Sequence, residues 1–263
     1  MLDIILIFIL GLIVGSFLNC VIYRMSKGES FVSGHSYCPK CKHNLYFWDL
    51  FPLFSYIFLG GKCRYCKAPI SCQYPLVEGG TALLFMAIYL FCGGLPVLFS
   101  YAFFKIIFWW IIVSFLVIVF VFDFKYYLIP DEVTYSAIAV SFVWLACSFF
   151  TGHLSGPFIF FSLLSAFGAS LFFFLLWFFS KGKAMGFGDV KLAFLMGLLL
   201  GWPGTLLALF LSFFLGAIIG LMMVGAKRKG MRSEIPFGPF IVVAIMITVF
   251  YGQEIINWYL SFL

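Results

Sequence analysis

The feature that most constrains this chain is a recurring, predominantly apolar run of about 20 residues, the first uncharged from Ile4 to Tyr23. A helix of that length crosses the ~30 Å hydrocarbon layer of a bilayer. Within lipid every backbone N–H and C=O must pair inside the protein, which leaves helices for runs this long. Such runs fall at about 3–22, 76–95, 99–122, 132–150, 157–180, 190–201, 204–224 and 237–260. The sixth is about half a span, and Gly201-Trp202-Pro203-Gly204 separates it from the seventh. The two form either a tight hairpin or a re-entrant element. The expected fold class is therefore all-α: a polytopic membrane helix bundle of about eight spans, with seven as the alternative count.

Composition agrees. The chain is 64% hydrophobic and 10% charged, where soluble domains run at roughly 45–50% and about 25%. Met1 to Val21 has no basic leader and no small-residue cleavage site, and it is too long for a signal-peptide core. It reads as the first span.

Basic residues set the expected orientation. Arg24, Lys27, Lys40, Lys42, Lys62, Arg64 and Lys67 follow the first span, and Lys125 follows the third. Lys181, Lys183 and Lys191 flank the connection from the fifth to the sixth, and Lys227, Arg228, Lys229 and Arg232 follow the seventh. The alternate connections near 94–98, 151–156 and 201–204 carry no Lys or Arg. Lys105 alone breaks the pattern, from a position where it can snorkel. The positive-inside rule makes the basic connections cytoplasmic and the N-terminus external. The net charge of +6 thus follows the membrane and is no nucleic-acid footprint.

Cys38-Pro-Lys-Cys41 and Cys63-Arg-Tyr-Cys66 are two Cys-x-x-Cys pairs separated by residues 42–62, which is 21 positions. That is close to zinc-ribbon spacing. Four thiolates close a tetrahedral zinc site with no open position, so one zinc ion here would be structural. It could supply the folding free energy of a loop, about 24–75, too small for its own core. Disulfides are the alternative, disfavoured in the cytoplasm. His35, His43 and Asp49 read as solvated, and Cys20, Cys72, Cys92 and Cys147 as packing or inert residues.

Two aspartates stand at span ends. Asp123 closes the third run, where the helix macrodipole disfavours an acid. It could be an interfacial residue paired with Lys125. Asp189 opens the sixth within Gly186-Phe187-Gly188-Asp189. It could cap that helix, but Gly186 and Gly188 also permit close backbone approach. Both acids fall at the cytoplasmic rim. Two carboxylates brought together share a proton, which is aspartic-protease chemistry. Asp131, Glu132 and Glu78 read as helix-start acids, and Glu234 as a loop residue. Gly11 and Gly15 form a Gly-x-x-x-Gly pair suited to close helix packing. No Ser/His/Asp arrangement, His-Glu-x-x-His motif or phosphate loop occurs. A transporter would place acids at mid-membrane. A non-catalytic adaptor would need the cysteines and not the aspartates.

Taken in order, the motifs resemble the prepilin peptidases, the bifunctional leader peptidases of type IV pilus and type II secretion systems. Gly15-Ser16-Phe17-Leu18-Asn19 with Ile22-Tyr23-Arg24 looks like the family's first motif. The double Cys-x-x-Cys follows, then Tyr74-Pro75 with Val77-Glu78, Asp123-Phe124-Lys125, Leu128-Ile129-Pro130-Asp131, Gly186-Phe187-Gly188-Asp189-Val190-Lys191 and Pro236-Phe237-Gly238-Pro239. Cys20 stands where an aliphatic residue is usual. The resemblance implies that Asp123 and Asp189 are the catalytic pair, with Gly186, Gly188, Lys125, Asp131 and Lys191 supporting. It implies an inner-membrane enzyme that cleaves pilin or pseudopilin precursors. It also implies methylation of the new N-terminus from S-adenosylmethionine, an activity tied to the cysteine loop. The expected division is a first span at 1–23, a cytoplasmic four-cysteine domain at 24–75 and a peptidase domain at 76–263.

Overall fold

The computed structural model describes residues 2–30, 34–94, 99–183, 185–225 and 235–262. Lys227, Arg228, Lys229, Arg232 and Glu234 lie outside the described residues. Among those described, seven helices are long and apolar enough to cross a membrane, and the chain forms two compact units, Met1–Ile118 and Val119–Leu263. The protein is an all-helical, multi-pass membrane protein.

The first unit is organised by α1 (Leu2–Met25) and α3 (Gln73–Phe91). They run antiparallel in one register. A Cβ on Gly11 would lie 2.5 Å from the Ala82 Cα, and one on Gly15 would lie 2.7 Å from the Glu78 Cα. Asn19 donates to the Tyr74 carbonyl at 3.1 Å. The Gly-x-x-x-Gly pair thus does what small residues do between membrane helices, which is to let two backbones touch. At the end where α1 finishes and α3 starts, the connecting loop emerges. Buried Arg24 anchors its beginning by donating to the carbonyls of Ser30 and His35, each at 3.0 Å.

Two acids of this unit depart from the sequence reading. Glu78 does not serve the start of α3. It lies in the second turn, is buried, and accepts the Leu53 N–H at 2.8 Å. Asp49 is not solvated: its side chain is 4% exposed and pairs with Arg64 at 2.6 Å. Tyr65 donates to it at 3.0 Å and the Tyr46 N–H at 3.2 Å. Burial pushes the Asp49 carboxyl up, but the hydrogen bonds from Arg64 and Tyr65 outweigh it and hold the group below the usual carboxylate range. His43, also read as solvated, is exposed but stacks on Tyr65 with ring centroids 3.7 Å apart.

The second unit contains the end of α4 (Tyr101–Tyr126), then α5 (Asp131–Phe150), α6 (Gly156–Ser180), α7 (Phe187–Gly225) and α8 (Gly238–Leu260). The 39 residues of α7 would span about 58 Å if straight, nearly twice a bilayer core. Its contacts with α6 show instead that it doubles back. Phe187 meets Trp177 and Gly201 meets Ser162, whereas Phe213 has returned to Phe173. The reversal falls at Gly201 and Trp202, whose backbone is non-helical, just before Pro203. A short first leg of 187–200 and a longer second leg from Pro203 therefore fold back on each other, as either alternative at 190–224 requires. Close packing again uses glycine, since a Cβ on Gly197 would sit 2.2 Å from the Ala166 Cα.

Candidate functional site

The reversal in α7 brings the start of α8 to the same end of the second unit as the end of α4 and the starts of α5 and α7. Asp123 lies in the last turn of α4, 6% exposed. The Gly238 N–H, at the first residue of α8, donates to its Oδ2 at 2.9 Å. This contact exists only because Gly238 has no side chain: a Cβ there would stand 2.7 Å from the same oxygen. Helix N-terminal N–H groups are unpaired within their own helix and favour an anion. Asp123 sits at the wrong end of its own helix and the right end of another.

Asp189, equally buried, is on the first turn of α7 and not at the capping position. Gly186 precedes the helix. The Asp189 N–H donates to the Gly186 carbonyl at 3.2 Å, and the carboxylate reaches back to the Gly186 N–H. That is the acid half of a capping box, so the helix-start reading of Asp189 holds in altered form. Ile129 joins the two halves of the site. It packs against Gly188, where a Cβ would meet its own Cβ at 2.8 Å, and against Gly238 at 3.2 Å. The residue before Asp189 and the residue that donates to Asp123 thus pack on one side chain.

Asp131 is elsewhere. It is exposed at the start of α5 and forms an ion pair with Lys191 at 2.6 Å. Lys191 also lies over the rings of Tyr135 and Phe187, each at 5.2 Å. This tie holds α5 against the first turn of α7. Lys125 lies over the Tyr126 ring at 5.2 Å. Sequence reasoning named Asp123, Asp189, Gly186 and Gly188 but gave no role to Ile129 or Gly238. The signal for Gly238 was present: a glycine between Phe237 and Pro239 at a helix start makes sense where something must approach the backbone.

The second site is in the cysteine loop. Its two knuckles have the same hydrogen bonding. Cys38 donates to His43 and Lys42 to Cys38, each at 2.9 Å; Cys63 donates to Ala68 at 2.8 Å and Lys67 to Cys63 at 3.0 Å. Lys42 and Lys67 take matching left-handed conformations, φ 60° and 59°. The four sulfurs of Cys38, Cys41, Cys63 and Cys66 lie within 4.8 Å of one another, with Cys38 and Cys66 at 3.9 Å. A tetrahedral zinc with bonds of about 2.3 Å puts its sulfurs about 3.8 Å apart. A backbone hydrogen bond at Ala68 favours the Cys66 thiolate, but burial and three neighbouring thiols push that thiol up to about 11. A dication among them would remove that cost. The four cysteines can hold a metal ion.

A membrane helix bundle that buries two carboxylates where helix ends meet defines an intramembrane acid-pair protein, here with a four-cysteine cluster able to hold a metal ion in a loop. Comparison with known proteins narrows the class. The profile of the Bacterial Peptidase A24 N-terminal domain matches residues 9–92, and that of the Type IV leader peptidase family matches residues 110–221. The chain is 31% identical to the Prepilin leader peptidase/N-methyltransferase of Pseudomonas aeruginosa, over 97% of its length and 92% of the relative's. It is 32% identical to the protein of that name from Aeromonas hydrophila, over 97% and 93%. With that from Pectobacterium carotovorum it shares 34%, over 89% and 88%. No solved structure matches. The chain belongs to the type IV leader peptidase family.

Proposed function

We propose that this protein is a membrane aspartic endopeptidase that removes the short basic leader from prepilin or pseudopilin precursors at the cytoplasmic face of a bacterial inner membrane. It then methylates the new N-terminus from S-adenosylmethionine. The observation that carries the cleavage reading is the joint burial of Asp123 and Asp189 around Ile129, on backbones kept bare by Gly188 and Gly238. The methylation reading rests on the relatives' name.

In the cleavage step one carboxylate is ionised and the other protonated, so the dyad titrates as a unit. The ionised group takes a proton from water as its oxygen attacks the scissile carbonyl. The protonated group hydrogen-bonds the carbonyl oxygen as charge develops there. Collapse of the tetrahedral intermediate breaks the C–N bond, and the proton gained from water passes to the leaving nitrogen. The Gly238 N–H orients Asp123, and the exposed backbone at Gly186 leaves room for an extended substrate segment. Activity falls on both sides of the pH window in which one proton is shared. Cys38, Cys41, Cys63 and Cys66 would hold one structural zinc, which orders the loop and takes no part in hydrolysis.

The experiment is cleavage of a purified pilin precursor by detergent-solubilised protein. Asp123→Asn and Asp189→Asn should each lose about 10²–10⁴-fold in rate, while Asp131→Asn stays within a few-fold of the parent. Activity surviving in either of the first two variants overturns the assignment.

A further inference from the structure

The segment between the two cysteine knuckles exposes an apolar face that a cytoplasmic loop would not tolerate in water. Phe47, Trp48, Phe51, Phe54, Ile57 and Phe58 all point outward, Trp48 at 73% and Phe58 at 84% exposure. They alternate with Pro52, Leu53, Ser55, Tyr56 and Leu59, which are half-buried. The only charged residue from Tyr46 to Phe58 is Asp49, and its side chain is buried. The outward face is therefore wholly uncharged, a continuous patch of the kind that marks an interaction surface.

Three observations say what covers it. The first is depth. Leu53, in the middle of the segment, bonds to Glu78 at 2.8 Å, and Glu78 is the sixth residue of α3, which starts at Gln73. Five helical rises amount to about 7–8 Å. The aromatic segment thus lies alongside the start of a membrane span and not above it, and interfacial elements sit about 5–10 Å into the headgroup boundary. The second is charge. Residues 26–72 carry six basic residues (Lys27, Lys40, Lys42, Lys62, Arg64, Lys67) against two acids, Glu29 and Asp49. Asp49 is paired with Arg64 and Glu29 accepts from Tyr37. The excess is complementary to anionic headgroups. The third is shape. Trp48, Phe51, Phe54 and Phe58 line a groove of about 670 Å³ whose polar wall is the mutually paired Asp49 and Arg64. A groove of rings with its charges already paired suits an acyl chain, and the cations left for a phosphate are Lys40, Lys42, Lys62 and Lys67 of the knuckles.

We propose that residues 46–59 are a monotopic anchor, which lies in the bilayer interface and holds an anionic phospholipid in its aromatic groove. The metal knot then has a mechanical role: it fixes the two ends of a segment whose exposed face belongs to lipid. The proposal does not rest on the activity of the aspartates.

The test uses the full chain in nanodiscs of phosphatidylethanolamine and phosphatidylglycerol, with Trp48→benzoylphenylalanine or Phe58→benzoylphenylalanine. Each is irradiated and the loop peptide is weighed by mass spectrometry. Retention of the bound metal shows that the loop is folded. Lipid adducts at both positions are expected, with yields several-fold lower when phosphatidylcholine replaces phosphatidylglycerol. On the unaltered protein, amide exchange across 47–58 should be several-fold slower in the anionic nanodiscs. Absence of lipid adducts together with equal exchange in both lipids overturns the proposal. So do adducts to a second copy of the chain, or adducts that form only with an added pilin precursor.

Discussion

Both units of this protein bury carboxylates between helices that glycine allows to touch, yet the acids are committed differently. In the first unit Gly11 and Gly15 bring α1 onto α3, and Glu78 beside them accepts from both the Leu53 N–H and the Ser16 side chain. It holds a loop. In the second, Gly238 lets Asp123 reach a backbone N–H, and Gly188, next to Asp189, lets Ile129 pack close. Each acid there has one backbone N–H in reach, Gly238 for Asp123 and Gly186 for Asp189. A carboxylate can accept about four hydrogen bonds, so these two retain capacity for a reacting water and a carbonyl. On the proposed function, what separates Glu78 from this pair is the acceptor capacity left unspent, and that can be probed from either side.

The largest effect should come from the metal knot. Apparent zinc-binding free energies in small thiolate sites are on the order of 10 kcal/mol, more than a loop of this size can replace by packing. Cys63→Ser, or stripping with a strong chelator, should open residues 34–72 to protease while far-UV circular dichroism of the helix bundle stays unchanged. Metal analysis of the parent should give one zinc per chain. A loop that stays protease-resistant without metal would mean that Asp49, with Arg64, Tyr65 and the Tyr46 N–H around it, holds the fold alone.

Next is Gly238→Ala, which introduces one methyl group 2.7 Å from Asp123 Oδ2. Either the carboxylate or the start of α8 must move. Displacing a catalytic group by about 1 Å can cost on the order of 10²-fold. Precursor cleavage should fall by that order, with thermal stability lowered by about 1–3 kcal/mol, as for overpacking elsewhere. Normal cleavage in a folded Gly238→Ala protein would detach Asp123 from the chemistry.

These two sites were unequally legible in the sequence. Asp123 and Asp189 stood out because each is a charge at the end of an apolar run, with a local reason to be noticed: an unfavourable dipole for one and flanking glycines for the other. The cysteines were legible because ligand spacing is itself local. Glu78 and Asp49 were misread for the same reason reversed. Their roles depend on partners at Leu53, 25 residues away, and at Arg64, 15 away, and no pattern along the chain marks those contacts. The α7 reversal was half legible. Gly201 and Pro203 announced a break, but a first leg of about 14 residues is too short for length alone to separate a crossing from a re-entrant turn. The contacts with α6 show that the chain doubles back at Gly201 and Trp202, and both a hairpin and a re-entrant element return α8 to the end of α4.

Glu78→Ala gives the counterpart of Gly238→Ala in the first unit. It removes the acceptor of the Leu53 N–H and leaves a donor unpaired, worth about 1–3 kcal/mol. Nicking of the chain between 46 and 59 should speed up by about tenfold or more, while cleavage of a precursor stays within a few-fold of the parent. Loss of cleavage equal to that in Gly238→Ala would erase the distinction between the two kinds of acid.

The smallest effect should come from the exposed pair of Asp131 and Lys191. Asp131 is 59% exposed at its side chain and Lys191 14%, so water screens the attraction, and surface ion pairs contribute about 0–1 kcal/mol. Lys191 has further support from the Tyr135 and Phe187 rings and should hold its place when the partner is neutralised. Asp131→Asn is therefore expected to shift the melting temperature by a degree or two and to become indistinguishable from the parent at high salt. Lys191→Met, which keeps the stem against the two rings, should behave alike, and the double variant should add nothing beyond either single one. A double-mutant coupling well above 1 kcal/mol would show that the pair is shielded from solvent. Asp131 would then belong with the buried acids of the site and not on its rim.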